Sequence, residues 1–111
     1  MNLGRVCASI VLGFGAALWA GCQSNLSLAP PVSPAFIRAG ARENADERTL
    51  AQGRALFLNR CIQCHALPEV ARFDAPHLTA IAAKMSGRAS LSPKQHEAML
   101  KYLLTVRSQS L

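Results

Sequence analysis

"RCIQCHALP", residues 60–68, decides how the rest of this chain is read. Cys61 and Cys64 stand three positions apart, and His65 follows the second at once. Two thiols and an imidazole at that spacing suit three chemistries. They bind a metal ion, exchange thiols with disulfides, or attach a haem through two thioethers with the histidine on the iron. The remainder of the chain has to choose between them.

Zinc asks for about four ligands, typically from two separated pairs. Only His77 and His96 are left to complete a set with Cys61 and Cys64, and neither lies in a paired motif. Thiol exchange places CxxC at a helix start in a βαβ setting. No alternating strand pattern is visible along this chain. The haem reading meets no such objection. Its two thiols must reach two vinyl groups on one edge of the macrocycle, and the histidine must then turn under the iron.

The cysteine inventory agrees. Of four Cys, Cys7 lies in the leader described next and Cys22, just after it, is the lipid candidate, so Cys61 and Cys64 alone cannot build a disulfide framework. A domain of roughly 65 residues buries little apolar surface and needs a metal, a cofactor or disulfides. That shortage itself argues for a bound cofactor.

Residues 1–21 read as a secretory signal peptide. A short start with one positive charge, Arg5, precedes "VCASIVLGFGAALWAG", which is uncharged and 16 residues long. That falls short of the roughly 20 residues a spanning helix needs. The alternative is an uncleaved anchor. Ala20-Gly21-Cys22 resembles the bacterial lipobox, with Trp19 where Leu is usual and Leu18 one place further back. The resemblance implies lipid on Cys22 as the mature N-terminus. Gln23 after it, rather than Asp, points by resemblance to proteobacterial lipoproteins toward the outer membrane. The rival is ordinary cleavage after Ala20, leaving an odd exposed thiol.

Charge narrows the partners. The chain carries a net charge of +6, and removal of Arg5 with the leader leaves +5. This favours acidic partner surfaces. The basic residues are scattered and not interleaved with aromatics, which excludes a nucleic-acid groove. Residues 22–45, rich in Pro, Ala and Ser and without a period, read as a disordered tether reaching ~75–80 Å at most. An ordered arm remains the alternative, because Phe36 and Ile37 could dock.

From residue 46 onward the spacing predicts three helices and an all-α domain, 46–111. The first covers about 46–59, with Asp46 and Glu47 at its positive end and Leu50, Gly53, Leu56 and Phe57 on one face. The second covers about 75–86 after Asp74, with Leu78, Ile81, Ala82 and Met85 in phase and Gly87 as its stop. The third opens on Ser92-Pro93-Lys94-Gln95, a cap, a first-turn proline and a capping-box glutamine. Met99, Tyr102, Leu103 and Val106 form its apolar stripe.

"GRALFLNRCIQCH" (residues 53–65) and "HLTAIAAKMSGRASLSPKQHEAMLKYLL" (residues 77–104) resemble the small class I c-type cytochromes. The resemblance covers about residues 48–106. It implies a three-helix domain around one covalent haem c, with Gly53 letting the first helix cross the last closely and Tyr102 packing there beside Phe57. It implies thioethers from Cys61 and Cys64, His65 as proximal ligand, and Met85 as the distal one.

Read from the residues alone, the sixth ligand stays open among His77, Met85, His96 and Met99. Met85 closes an apolar face just before the loop "SGRASLS"; Met99 reads as core filler. Arg60, Arg72 and Arg88 are candidates for haem propionates or for a partner. The expected function is single-electron transfer between periplasmic or membrane redox partners, with no catalysis. The alternatives are a haem subunit of a larger complex, and a sensor or enzyme with an open or displaceable sixth position.

Overall fold

Side-chain caps start four α-helices among the described residues. The computed structural model describes residues 27–111. The helices are α1 (Pro34–Gly40), α2 (Glu47–Arg60), α3 (Ala75–Arg88) and α4 (Pro93–Gln109). Ser33 Oγ accepts the Phe36 N–H at 3.2 Å, Asp46 Oδ1 the Thr49 N–H at 2.8 Å, and Asp74 Oδ1 the His77 N–H at 2.7 Å. At α4 the capping box is complete: Gln95 N–H donates to Ser92 Oγ at 3.2 Å, and Ser92 N–H to Gln95 Oε1 at 2.9 Å. Each satisfies an amide that a helix start would otherwise leave without a partner. Hydrogen bonds from Thr49 hold the Asp46 carboxyl below the usual carboxylate range. No strand occurs among the described residues, and the domain is all-α.

The centre is the crossing of α2 and α4. A Cβ added at Gly53 would meet the Ala98 carbonyl oxygen and lie 2.6 Å from Tyr102 Cβ, so only glycine lets the two backbones touch. Around this crossing Leu50, Phe57, Tyr102 and Met99 are removed from solvent. The Phe57 and Tyr102 rings stand 6.2 Å apart, centroid to centroid. α3 packs on α4 from the other side through Leu78 and Ala82.

The segment expected as a tether differs from that reading over residues 29–45. It is the alternative arm, docked on the domain. Phe36 is buried, with its ring 5.3 Å from Tyr102. The Tyr102 hydroxyl donates to the Pro30 carbonyl at 2.9 Å, and Arg54 Nε to the same oxygen at 3.1 Å and to Ala29 at 3.2 Å. Gly40 sits so close to α2 that a Cβ there would come within 2.6 Å of Leu50 Cδ1. The prolines here preset a helix start rather than keep the chain open: Ser33-Pro34 repeats the cap-plus-proline of Ser92-Pro93. Residues 29–45 therefore share a core with residues 46–111. The expected signal peptide at 1–21 and the expected lipidation of Cys22 fall outside the described residues. No helix among the described residues is long and apolar enough to cross a membrane.

The end of α3 also departs from expectation. The helix passes through Gly87 to Arg88, and the left-handed residue is Ser90, at φ 54°. Leu91 N–H bonds the Ser86 carbonyl at 3.0 Å and Ser90 N–H the Gly87 carbonyl at 3.3 Å. This is a Schellman ending with serine in the place glycine usually takes. Between α2 and α3, residues 61–74 form a loop with single tight turns at Cys61–Gln63 and Val70–Arg72. Arg107 Nε on α4 holds its far end through the Phe73 carbonyl at 2.8 Å.

Candidate haem site

Cys61 takes the position where α2 ends, so the whole motif projects from the end of the most tightly packed helix pair. Its thiol is half-buried, with Sγ 4.0 Å from Met99 Sδ on α4. Burial pushes the Cys61 thiol up, and the neighbouring Cys64 adds to the shift. Cys64 and His65 are exposed, and His65 Nδ1 lies 2.7 Å from the Ala66 carbonyl.

Two cavities meet at these residues. The inner one, about 110 Å³, has a wholly apolar lining that includes Phe57 from α2, Val70 and Phe73 from the loop, Leu78 from α3, and Met99 and Leu103 from α4. The outer one, about 350 Å³, is lined by Arg60, Cys64, Gln63, Arg88, Ala89 and Ser90. Cys61, His65 and Met85 line both. The Arg60 guanidinium also donates to the Ala89 carbonyl at 2.8 Å, bridging the end of α2 to the end of α3.

This donor set fits a haem. An apolar slot opens past two thiols, an imidazole and a thioether onto a mouth carrying two guanidiniums. A macrocycle with an apolar body and carboxylates along one edge matches that gradient. Arg72 is not at the mouth; it pairs with Glu69 at 2.8 Å on the exposed loop.

The other candidates are placed differently. His77 lines neither cavity and stands edge-on to Phe73, with ring centroids 5.5 Å apart. His96 Nδ1 is 2.7 Å from Ser86 Oγ. Met99 lines the inner cavity only. Among the described residues no three His, Cys, Asp or Glu side chains are grouped to hold a metal ion, so His77 and His96 do not join the cysteines as the zinc reading requires. The apolar wall supplied by Pro68, Val70 and Phe73 was not foreseen. Its only signal in the sequence is a set of apolar residues, without helical period, after the histidine.

Comparison with known proteins agrees with this geometry. The chain is 33% identical over 69 residues to the cytochrome c-type protein TorC of Escherichia coli K12, and 32% identical to TorC of Escherichia coli O157:H7. The match takes in 62% of this chain and spans only 18% of the length of those relatives. No family model and no solved structure matches the chain. The chain thus resembles a part of a cytochrome c-type protein.

Proposed function

We propose that this chain is a class I, monohaem c-type cytochrome that passes single electrons between redox proteins of a bacterial cell envelope. The observation that carries the reading is that Cys61, His65 and Met85 line both the apolar slot and its polar mouth. Cys61 and Cys64 hold the haem covalently, His65 is the proximal ligand and Met85 the distal one. When bound, the haem supplies a one-electron centre whose potential a His/Met pair raises.

The chain's own residues do the rest. The apolar wall of Val70, Phe73, Leu78 and Leu103 excludes water from the centre. Arg60 and Arg88 neutralise carboxylates at the mouth and favour a partner with an acidic docking surface. His65 and Met85 would both hold the iron, which would leave no site for a substrate and make the protein a carrier rather than an enzyme.

Cys22 carries lipid, and the outer membrane is the favoured location. With residues 29–45 packed on the domain, at most residues 22–28 bridge lipid and domain. They reach ~25 Å when fully extended. The domain would therefore sit close to the membrane surface rather than at the end of a long tether.

The test compares two methionines in purified holoprotein. Met85→Ala abolishes the sulfur-to-iron charge-transfer band, lowers the potential and lets carbon monoxide bind the reduced iron. Met99→Leu keeps the band, being a swap of similar volume that costs under ~1.5 kcal/mol. The inverse result transfers the ligand role to Met99. Immediate carbon monoxide binding by the wild type replaces the carrier with a sensor or enzyme that has a displaceable sixth position.

A further inference from the structure

Ser86 follows Met85 directly and is 6% exposed. A buried hydroxyl on a helix usually satisfies itself on the carbonyl four residues back. Thr79 does so with Ala75 at 2.8 Å, and buried Thr105 with Lys101 at 2.8 Å. Ser86 does not. Its Oγ instead reaches across to His96 Nδ1 on α4 at 2.7 Å. The contact holds in either tautomer, because the hydroxyl donates to a bare Nδ1 or accepts from a protonated one.

His96 is a firm anchor. It lies in the first turn of α4 behind the complete capping box, and its N–H bonds the Ser92 carbonyl at 2.9 Å. On the opposite flank of the same α3 turn, Arg60 grips the Ala89 carbonyl at 2.8 Å, and Ala89 N–H bonds the Met85 carbonyl at 2.8 Å. The turn that carries Met85 is thus tied to α4 through His96 and to the Cys61 end of α2 through Arg60.

We infer that Ser86 and His96 are a positioning pair for Met85, fixing the last turn of α3 so that its thioether stays over the cavity. The inference rests on the reading of Met85 as distal ligand. Neutral thioether sulfur is a weak donor, so its hold on iron depends on how little freedom its backbone has. The hydrogen bond acts on that freedom without touching the ligand. Removing it shifts the balance between bound and displaced Met85 by about three- to tenfold, the factor that one net hydrogen bond is worth.

The experiment titrates oxidised holoprotein with imidazole and follows loss of the sulfur-to-iron band, alongside thermal unfolding by circular dichroism. Ser86→Ala and His96→Ala are expected to bind imidazole about three- to tenfold more tightly than wild type. The double variant should be no worse than either single one, since both remove the same bond. His96→Asn, whose amide can take the place of Nδ1, should return the affinity to near wild type. Variants that unfold at lower temperature yet bind imidazole as wild type does would show a bond that is merely structural, and would overturn the inference. So would additive effects in the double variant. Met85→Ala is the control: if it keeps the band, the ligand reading fails first, and the positioning role fails with it for that separate reason.

Discussion

The two sides of α4 make an instructive pair. On one, Tyr102 is enclosed by Phe36, Phe57, Arg54 and the Pro30 carbonyl, and the helices touch backbone to backbone at Gly53. On the other, Met99 and Leu103 face an apolar cavity bounded by an irregular loop, with Cys61 at its edge and Cys64 in the adjoining polar mouth. One side is complete in the polypeptide alone. The other presents an apolar lining that the proposed haem would complete. A cofactor that completes only one half of a domain leaves the second half able to hold much of its structure without it. The sequence suggested a domain with little core besides its haem. The docked arm supplies that core, through Ala29, Phe36 and Ala45.

The sharpest way to break the comparison is to remove the filling. Replacing both Cys61 and Cys64 by serine would abolish the proposed covalent haem attachment. The loop over 61–73 and α3 are then expected to lose amide protection, whereas α2, α4 and the arm keep a large part of theirs. Hydrogen exchange followed residue by residue checks this. Uniform loss across the chain would mean that the sealed side depends on the cofactor as fully as the open one.

The converse change attacks the sealed side. Phe36→Ala empties a site with almost no exposed surface, at a cost of about 3–5 kcal/mol. The arm should detach while the cavity walls and the haem spectrum stay near wild type. Urea unfolding measures the loss, and the sulfur-to-iron band reports on the haem side. A small loss, under ~1 kcal/mol, would return residues 29–45 to the status of a loose tether.

How far each side could be read from the sequence follows from the kind of signal it carries. α4 was legible because its cap, proline and glutamine fall in one short run, and its stripe repeats with helical period. Gly53 was legible through the resemblance, and the close crossing explains it. The arm was harder. A seven-residue helix is too short to display a period, and its prolines mimic a linker, although Phe36 and Ile37 hinted at docking. At the site, Cys61, Cys64, His65 and Met85 were picked out by spacing and resemblance, and they do meet around one cavity. The loop wall was not, because Val70 and Phe73 are placed by tertiary contacts such as the Arg107 bond and not by any local pattern. The Ser86–His96 bond joins two different helices, and no periodicity within either one announces it. The stop of α3 was misread because Ser90 adopts the left-handed turn that Gly87 seemed to offer.

The finest probe of the sealed side is the hydroxyl of Tyr102. Burial pushes its pKa up to about 12, against a smaller opposing pull from Arg54. The fold thus keeps the phenol protonated to a higher pH than the unfolded chain, whose tyrosine titrates near its ordinary ~10. The sign is fixed by that order. The stability tied to the protonated hydroxyl is complete below about pH 10 and is lost as pH rises toward 12. Tyr102→Phe removes both the bond to Pro30 and the titration. Near neutral pH the cost should be small, about 0.5–1 kcal/mol, because Arg54 still donates to the same carbonyl and does not leave it orphaned. Between pH 10 and 12 the wild type should lose on the order of 2 kcal/mol more than the variant, so the two stability curves converge and then cross. Urea unfolding of both proteins at stepped pH gives the curves, and lysine titration common to both cancels in the difference. Curves that stay parallel to pH 12 would place the Tyr102 hydroxyl in water, and the contact between arm and α4 would then be looser than its 2.9 Å bond implies.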